Sequence, residues 1–515
     1  MGKIANYLQA TILTLIIFTS GVLMLNAAWG DSAIFGETAR VVAGYNYLKN
    51  ADEIIFTARL VPIFLTLLAI FFIYYFAKEI MGRWWALLPA FLFAFSPMVL
   101  AHGHYVTTDI AATLGALLTI FYFVRLLDDY NPRNLLIASA AFGLAQAVKF
   151  SSVLLIPALI LMAVIYSLIN YQNRAKALYR NCKAAFFTII IGYAIVVFPL
   201  YLSAGWNYPI EKQGEYLSGV LTLFQPPING NNADFYHFPL IYLMKESLPA
   251  IVLIFIGFLL GLVGIVKSLK KGFSAAEKLK EYLNIRFLEF SMILFIIIYW
   301  LSSVLSPLNI GVRHFLPIIP FIYILSASAV KKWFSSEPRE IATDWLEQIE
   351  NTWHFIFNFW LKTSLLSILI IWVVLETALA SPYFLSYYNE FFGWRTNGFY
   401  YAADSDFDLG QDLKRLKSWT DANLEKDEKL AVDYFGGGDV KYYFGDQAEI
   451  WQSAKGNPKD EGISWLAISA NILMKALADP APGFYKNPAD EYRWLENPYG
   501  FIDRAGTSIF IYRLQ

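Results

Sequence analysis

The sequence has few charged residues and almost no cysteine. Only 16% of its 515 residues are charged, and Cys182 is the single cysteine. One cysteine excludes an intramolecular disulfide and a cysteine zinc site. The formal net charge of -1 gives no indication of a nucleic-acid partner, and none is predicted. Hydrophobic residues instead make up 57% of the chain, which is typical of a protein embedded in membrane lipid.

Long apolar runs recur along residues 1–382. A helix needs about 20 such residues to cross the hydrocarbon of a bilayer, where it satisfies its own backbone hydrogen bonds. Eleven spans are predicted, at 8–28, 55–77, 84–102, 107–126, 134–149, 151–171, 184–204, 247–267, 287–307, 314–331 and 363–381. The first is too long for a signal-peptide core, so we expect it to be retained. The sequence therefore predicts a polytopic α-helical membrane protein with about 11 transmembrane helices.

The remaining residues, 383–515, are more polar. Strand-like runs at 429–435, 464–469 and 507–513, with helical patterns at 411–423 and 470–478, predict a small C-terminal α/β domain. Gly436-Gly437-Gly438 follows the first strand and is able to cradle a phosphate, although a plain loop is the stronger interpretation. Asp404, Asp406 and Asp408 have the spacing of a calcium loop, but no glutamate stands at its end. A surface turn is predicted there.

Basic residues are distributed unevenly between the two sides of the predicted spans. With a cytoplasmic N-terminus, the opposite side carries only six before the C-terminal domain: Arg40, Lys49, Lys149, Lys212, Lys245 and Arg313. The positive-inside rule then predicts a cell-membrane protein with a cytoplasmic N-terminus and an extracytoplasmic C-terminal domain. Lys149, Lys245 and Arg313 lie at helix mouths, where a functional role competes with snorkelling towards the headgroups.

Acidic residues also lie on the predicted outer side. Asp31 and Glu37 follow the first span, at the start of a predicted interfacial amphipathic helix that Asp31 would cap. Asp109 follows His102 and His104 in the turn after the third span, where it either caps the fourth span or takes part in chemistry. The two histidines alternate, so they would share a metal only from a strand-like turn. A long loop at 206–246, rich in aromatic and amide side chains, suits a sugar.

These residues lie within segments of a recognisable order. The segments are Ser96-Pro97 with 101–109, Lys149-Phe150, Lys245 with Leu248-Pro249, 309–317, 383–390 and 404–413. In order and sidedness they resemble the polyprenyl-phosphate-dependent glycosyltransferases of the GT-C class. That class includes protein O-mannosyltransferases and the aminoarabinose transferase that modifies lipid A. The resemblance covers residues 1–415.

The resemblance implies a GT-C fold and a glycosyltransferase that moves a hexose or pentose from a polyprenyl-phosphate-linked donor. The unknown acceptor is a protein, lipid or glycan on the outer face of the membrane. It implies a first-loop acid as the catalytic base, either Asp31 or Glu37, with Asp109 as a second acidic site residue. Lys149, Lys245 and Arg313 would hold the donor phosphate. Further substrate contacts are expected from His102, His104, Arg59, His237 and His314. No cofactor is required, and a divalent metal is possible.

Two other kinds of protein fit a charged helical bundle. A secondary transporter would show internal repeats and charges at the membrane midplane, whereas here no repeat is evident and the charges gather at one face. A non-catalytic membrane receptor with an outer domain would not require acids and bases together at the helix mouths. The sequence therefore favours a membrane glycosyltransferase and leaves both alternatives open.

Overall fold

A computed structural model describes most of the chain. The described residues are 2–34, 50–170, 173–204, 237–270, 283, 285–305, 311–335, 345–403, 405–478, 492–495, 497 and 500–514. The helices of the membrane part are α1 (Gly2–Gly30), α2 (Ala51–Met81), α3 (Leu87–Phe95), α4 (Pro97–His104), α5 (Asp109–Asp128), α6 (Pro132–Val148), α7 (Leu155–Asn170), α8 (Arg174–Gly192), α9 (Phe198–Ala204), α10 (His237–Lys245), α11 (Leu248–Lys270), α12 (Phe287–Leu305), α13 (Ile319–Ser335) and α14 (Trp345–Ala380). Short 3₁₀ segments, Phe150–Leu154 and Val312–Ile318, lead into α7 and α13.

The predicted polytopic membrane protein is confirmed. Within the described ranges, seven helical segments are long and apolar enough to cross a membrane, or nine if each of two bent pairs forms one span. The bent pairs are α3 with α4, at 65°, and α10 with α11, at 120°. Every one of the eleven predicted spans overlaps a helix, but α6 and α12 are short, with 17 and 19 residues.

The predicted third span is interrupted at Ser96. Ser96 has an extended backbone (φ -69°, ψ 120°), and its hydroxyl accepts a hydrogen bond from the Val99 N–H. Pro97 disfavours helical backbone at the residue before it, yet it suits the first position of a new helix. The chain therefore ends α3 at Phe95, turns, and starts α4, whose residues are all buried.

Small residues allow the helices to approach closely. A Cβ added to Gly115 of α5 would lie 2.9 Å from the Ala145 Cα of α6. A Cβ added to Gly143 of α6 would lie 2.5 Å from the Gly192 carbonyl oxygen of α8. Such small-residue contacts are a common means of packing helices within lipid. They bring the ends of α5 and α6 together, and with them the first pair of candidate site residues.

The C-terminal part forms the predicted small α/β unit. Helix α15 (Leu413–Asn423) precedes a five-stranded sheet of order β2-β1-β3-β5-β4. Its strands are β1 (Leu430–Asp433), β2 (Ala448–Ile450), β3 (Trp465–Ser469), β4 (Asp503–Ala505) and β5 (Ile509–Arg513), with helices α16 (Val440–Phe444) and α17 (Ala470–Leu477). Strands β1, β2 and β3 are parallel, whereas β5 is antiparallel to both of its neighbours. The three predicted strands are present; β2 and β4 were not predicted.

Residues between α14 and α15 join the two parts. Phe384, Leu385 and Leu409 are buried in one cluster with Met24 of α1 and Leu100 of α4. The glycine run after β1 also takes part, because the Gly437 N–H donates to the Ala33 carbonyl at 3.2 Å. The run therefore helps to dock the C-terminal unit on the chain just after α1, in agreement with a structural loop.

The predicted surface turn at residues 404–408 is wrong for the two described aspartates. Asp406 is 1% exposed and Asp408 is fully buried. The Asp406 carboxylate accepts a hydrogen bond from the Val312 N–H at 2.7 Å. The Asp408 carboxylate accepts from the N–H groups of Gly410 and Asn471 at 2.9 and 3.0 Å. These acids are internal side chains whose carboxylates link backbone segments.

Candidate active site

A buried ion pair marks the first part of the candidate site. Asp109 is the first residue of α5, and its carboxylate lies 2.6 Å from the Lys149 ammonium, which directly follows α6. The two side chains are 6% and 16% exposed. A carboxylate that serves only as a helix cap does not require a buried lysine. The structure therefore brings together two residues that were predicted separately, one as a site acid and one as a phosphate ligand.

Other predicted site residues surround this pair. Arg313, in the 3₁₀ segment before α13, interacts electrostatically with Asp109, Lys149 and His102. His314 is buried, and its ring centroid lies 5.5 Å from that of Tyr299. Five separate segments of the chain thus converge here, from α4, α5, α6, α12 and the turn before α13. We call Asp109, Lys149, His102, Arg313 and His314 the lysine cluster.

Asp31 lies at the centre of a second group on the same side of the helices. One carboxylate oxygen accepts hydrogen bonds from the Tyr105 hydroxyl at 2.6 Å and from His104 Nε2 at 3.1 Å. The other oxygen lies 2.7 Å from the guanidinium of Arg415, in the C-terminal part. Burial alone would raise the pKa of Asp31, but Arg415, His104 and Arg59 hold it well below its ordinary value. Asp31 is therefore ionised.

Arg59 shapes the backbone around Asp31. It is fully buried in α2 and donates to the backbone carbonyls of Ala28, Asp31 and Ser32 at 2.8, 2.8 and 2.7 Å. These bonds satisfy carbonyls at the end of α1, where a helix has no partners of its own. Arg59, which the sequence predicts as a substrate contact, therefore supports the backbone around Asp31.

Lys245 interacts electrostatically with His102 of the lysine cluster, but its ammonium is held by backbone carbonyls. Its ammonium donates to the carbonyls of Leu385, Tyr387 and Asp406 at 2.7, 2.7 and 2.5 Å, and it lies over the Tyr388 ring. An ammonium has three donors, and all three are used. Lys245 is also only 3% exposed. We therefore leave it out of the phosphate site, since its donors hold the segment that connects the two parts of the chain.

The histidine pair is also placed differently. His102 and His104 lie in helix α4 rather than in a strand-like turn, so side chains two residues apart point in different directions. His104 Nδ1 contacts the Leu100 carbonyl at 2.7 Å, while its Nε2 contacts Asp31. His102 instead belongs to the lysine cluster, where it interacts electrostatically with Asp109 and Arg313. Among the described residues no group of three histidine, cysteine or acidic side chains is placed to hold a metal ion.

Some predicted residues cannot be located. Glu37, the interfacial helix predicted through Val41, Val42, Tyr45 and Leu48, and most of the loop at 206–246 lie outside the described residues. His237 begins α10, but its side chain is outside the described part of the chain. Conversely, Tyr105, Tyr299 and Arg415 contact site residues without having been predicted. No local pattern marks them, because each reaches the site through tertiary packing.

Comparison with known proteins gives a family and several solved structures. Residues 48–223, less than half of the chain, match the family described as dolichyl-phosphate-mannose-protein mannosyltransferase. ArnT from Cupriavidus metallidurans is similar in its undecaprenyl-phosphate-bound and apo structures, at 13% identity over 99% of this chain and 98% of that one, with TM-scores of 0.45 and 0.46. The Archaeoglobus fulgidus oligosaccharyltransferase is similar at 12% identity over 91% of this chain and 70% of that one, with a TM-score of 0.44. No curated protein matches.

The family match falls on the part of the chain that carries Arg59, His102, Asp109 and Lys149. It confirms the resemblance to polyprenyl-phosphate-dependent glycosyltransferases that the sequence predicts. The chain is a multi-pass membrane protein, and its residues 48–223 are similar to that mannosyltransferase family.

Proposed function

We propose that the protein transfers a sugar from a polyprenyl-phosphate-linked donor to an acceptor at the extracytoplasmic face of the cell membrane. The observation that carries the proposal is the buried Asp109–Lys149 pair, with Arg313 beside it, at the end of apolar helices. Partly buried cations at the ends of apolar helices suit the phosphate of a lipid carrier that stays within the bilayer. The matching family is named for dolichyl-phosphate mannose, a sugar linked to a lipid phosphate, and this name supports the same class of donor.

The lysine cluster would stabilise the leaving group. When the bond between the sugar C1 and the phosphate oxygen breaks, its electron pair leaves with the polyprenyl phosphate, which gains negative charge. Lys149 and Arg313 offer charge-assisted hydrogen bonds to that phosphate, and the arginine fork is able to contact two oxygens. In a site without bulk water such preorganised charge is a large contribution to catalysis.

Asp31 is the proposed base. Its Oδ1 accepts no directed hydrogen bond from the described residues, although the Arg415 guanidinium lies beside it. A carboxylate oxygen with a free lone pair is able to take the proton of an acceptor hydroxyl or amine as the new bond to C1 forms. General base catalysis of this kind typically contributes 10²- to 10⁴-fold. The transfer changes no oxidation state, so it needs no redox cofactor. A divalent metal is compatible with it.

The proposed orientation follows from charge. Arg313 and Lys149 lie on the side of the helices that carries the C-terminal domain, and that side has few basic residues. The positive-inside rule therefore favours an extracytoplasmic site and C-terminal domain.

The test separates transfer from transport. Purified protein is incubated in detergent with polyprenyl-phosphate mannose labelled in the sugar and with a membrane extract that supplies acceptors, and the label that leaves the donor lipid is measured. The same protein in sealed vesicles is tested for flux of the free sugar. We expect label release by the parent and its loss in Asp31→Asn and Asp109→Asn, without flux. Flux without label release, or equal release by the parent and both variants, would overturn the proposal.

A further inference from the structure

The C-terminal part reaches into the Asp31 group through one side chain. Arg415 lies on α15, and its guanidinium is 2.7 Å from Asp31 Oδ1. Its side chain is only 14% exposed, and that of Asp31 is 3% exposed. Gly30 leaves room for the Arg415 side chain, because a Cβ added to Gly30 would lie 2.9 Å from the Arg415 guanidinium. The contact is therefore an internal ion pair between the two parts of the chain.

Arg415 is itself held in place. Its other guanidinium nitrogen pairs with the Asp412 carboxylate, and its guanidinium carbon lies 4.7 Å from the centre of the Tyr383 ring. The second Asp412 oxygen accepts hydrogen bonds from the N–H groups of Thr507 and Ser508, both at 2.9 Å. These N–H groups belong to the turn that joins β4 to β5. Gly506, which has a positive φ of 62°, lets the turn approach Asp412 closely.

The backbone next to Asp31 is fixed by the same unit. The Ser32 N–H donates to the Gln411 carbonyl at 2.8 Å, and the Ser32 hydroxyl donates to the Gly410 carbonyl at 2.7 Å. The Leu413 N–H donates back to the Ser32 hydroxyl at 3.1 Å. A chain of contacts thus runs from the β4–β5 turn through Asp412 and Arg415 to the Asp31 carboxylate. Asp31, Asp412, Thr507 and Ser508 are buried and Arg415 is mostly buried, so one oxygen of the Asp31 carboxylate is held from the C-terminal side.

We propose that Arg415 is the positioning residue of Asp31, so that the C-terminal domain completes a site whose other residues lie on membrane helices. This proposal rests on the proposed function of Asp31 as base. Arg415 touches neither sugar nor phosphate in it. The guanidinium keeps the carboxylate ionised and directs its second oxygen, while Tyr105 and His104 hold the first.

Three variants test the proposal. Arg415→Gln removes the cation, and Arg415→Lys keeps the charge without the fork. Lys414→Gln is the matched control, because Lys414 also bridges the two parts, 3.5 Å from Asp52 and 3.1 Å from the Trp29 carbonyl, without touching Asp31. The rate of label release from polyprenyl-phosphate mannose is measured for each purified protein from pH 9 down to the lowest pH at which it stays folded, because the limb of the parent lies below the ordinary pKa of an aspartate.

An opposite charge at this distance typically lowers a carboxyl pKa by about 1 to 3 units. We therefore expect the low-pH limb of the rate profile to move up by about 1 to 3 pH units in Arg415→Gln. The limb should return towards that of the parent in Arg415→Lys and stay unchanged in Lys414→Gln. A merely structural arginine would lower the rate at every pH without moving the limb. A limb in Arg415→Gln that coincides with that of the parent would overturn the proposal.

A second measurement does not depend on turnover. Thermal unfolding of the parent, Asp31→Asn, Arg415→Gln and the double variant forms a mutant cycle. Residues in contact deviate from additivity in such a cycle, so the double variant should lose less stability than the two single losses together. Additive losses would overturn the pairing. A parent that releases no label while the cycle shows coupling would overturn the proposed function and leave the Asp31–Arg415 pair established.

Discussion

The Lys149 ammonium lies 2.6 Å from the Asp109 carboxylate, and both residues lie at the open end of the hairpin formed by α5 and α6. Asp109 starts one helix and Lys149 directly follows the other. Because Gly115 packs against Ala145 further along the same pair, the hairpin closes tightly enough for these side chains to meet. The pair is therefore a product of helix packing, and it places one fixed negative and one fixed positive charge where the donor phosphate is proposed to bind.

The first prediction concerns Asp109. In Asp109→Asn the amide keeps the shape of the side chain but no longer pairs as an anion with Lys149. Breaking a buried pair by neutralising one partner typically costs about 3 to 5 kcal/mol in stability. We expect a lower unfolding temperature in detergent and a loss of most label release. Asp128→Asn, at the other end of α5, is the control. Unchanged release by Asp109→Asn would show that the pair is structural only.

The second prediction contrasts the partly buried Lys149 with the buried Lys245. Lys149→Met should weaken binding of the lipid-linked donor by about 1 to 3 kcal/mol, the usual loss for a charged hydrogen bond. Lys245→Met should lower the unfolding temperature without changing donor affinity in the folded fraction, because it leaves the carbonyls of Leu385, Tyr387 and Asp406 without their donor. Donor affinity is measured by titration of purified protein. A weaker donor complex in folded Lys245→Met would restore Lys245 to the phosphate site.

The third prediction concerns the arginine fork at Arg313. Arg313→Lys keeps the charge but replaces two parallel N–H donors with a single ammonium. If Arg313 contacts two phosphate oxygens, the rate of label release should fall even though the local charge is unchanged. Arg286→Lys, at the opposite end of the neighbouring helix α12, controls for the general effect of the substitution. Equal rates for the parent and Arg313→Lys would limit Arg313 to a long-range electrostatic role.

The fourth prediction is topological. Reporter fusions after Gln515 and within the loop near Lys270 should report opposite sides of the membrane, because the distribution of basic residues favours a cytoplasmic loop and an extracytoplasmic C-terminus. A fusion in the loop after Met81 should agree with the Lys270 fusion. The same signal from the Gln515 and Lys270 fusions would contradict the proposed orientation.

The fifth prediction follows from the burial of Asp408. Removal from water raises the pKa of Asp408 to about 7, although the N–H groups of Asn471 and Gly410 oppose this effect. Between its ordinary pKa and about 7, the folded protein thus binds a proton that the unfolded chain has released. Stability should fall as the pH rises through that window. Thermal unfolding between pH 4 and 8 should show this decline in the parent, and a smaller one in Asp408→Asn. Parallel curves would contradict the assignment.

Much of the fold is predictable from local patterns. Apolar runs predict the membrane helices, because a helix satisfies its own backbone in lipid whatever its neighbours are. The runs before Asp433 and Ser469 likewise predict β1 and β3. Strand β2 has only three residues and strand β4 starts with charged ones, so neither carries a pattern of its own. These strands form because their neighbours offer a free edge.

The site is less predictable, because its chemistry depends on partners distant in sequence. Lys149 and Lys245 both lie at the end of an apolar helical run, so their local sequences do not distinguish them. Only the structure shows that Lys149 meets a carboxylate whereas Lys245 meets three carbonyls. The same holds for Asp406 and Asp408, whose polarity predicts exposure although backbone N–H groups compensate for their burial. Contacts of this kind are absent from any window of the sequence.

The ion pair between Asp31 and Arg415 also sets an order of assembly. Asp31 leaves the ribosome about 380 residues before Arg415. At elongation rates of about 5 to 20 residues per second, this separation is a delay on the order of 20 to 80 s. During that time the first helices are inserted while the carboxylate lacks its cation. The last fifth of the chain then supplies Arg415, so the Asp31 carboxylate gains its cation only after every membrane helix has been synthesised.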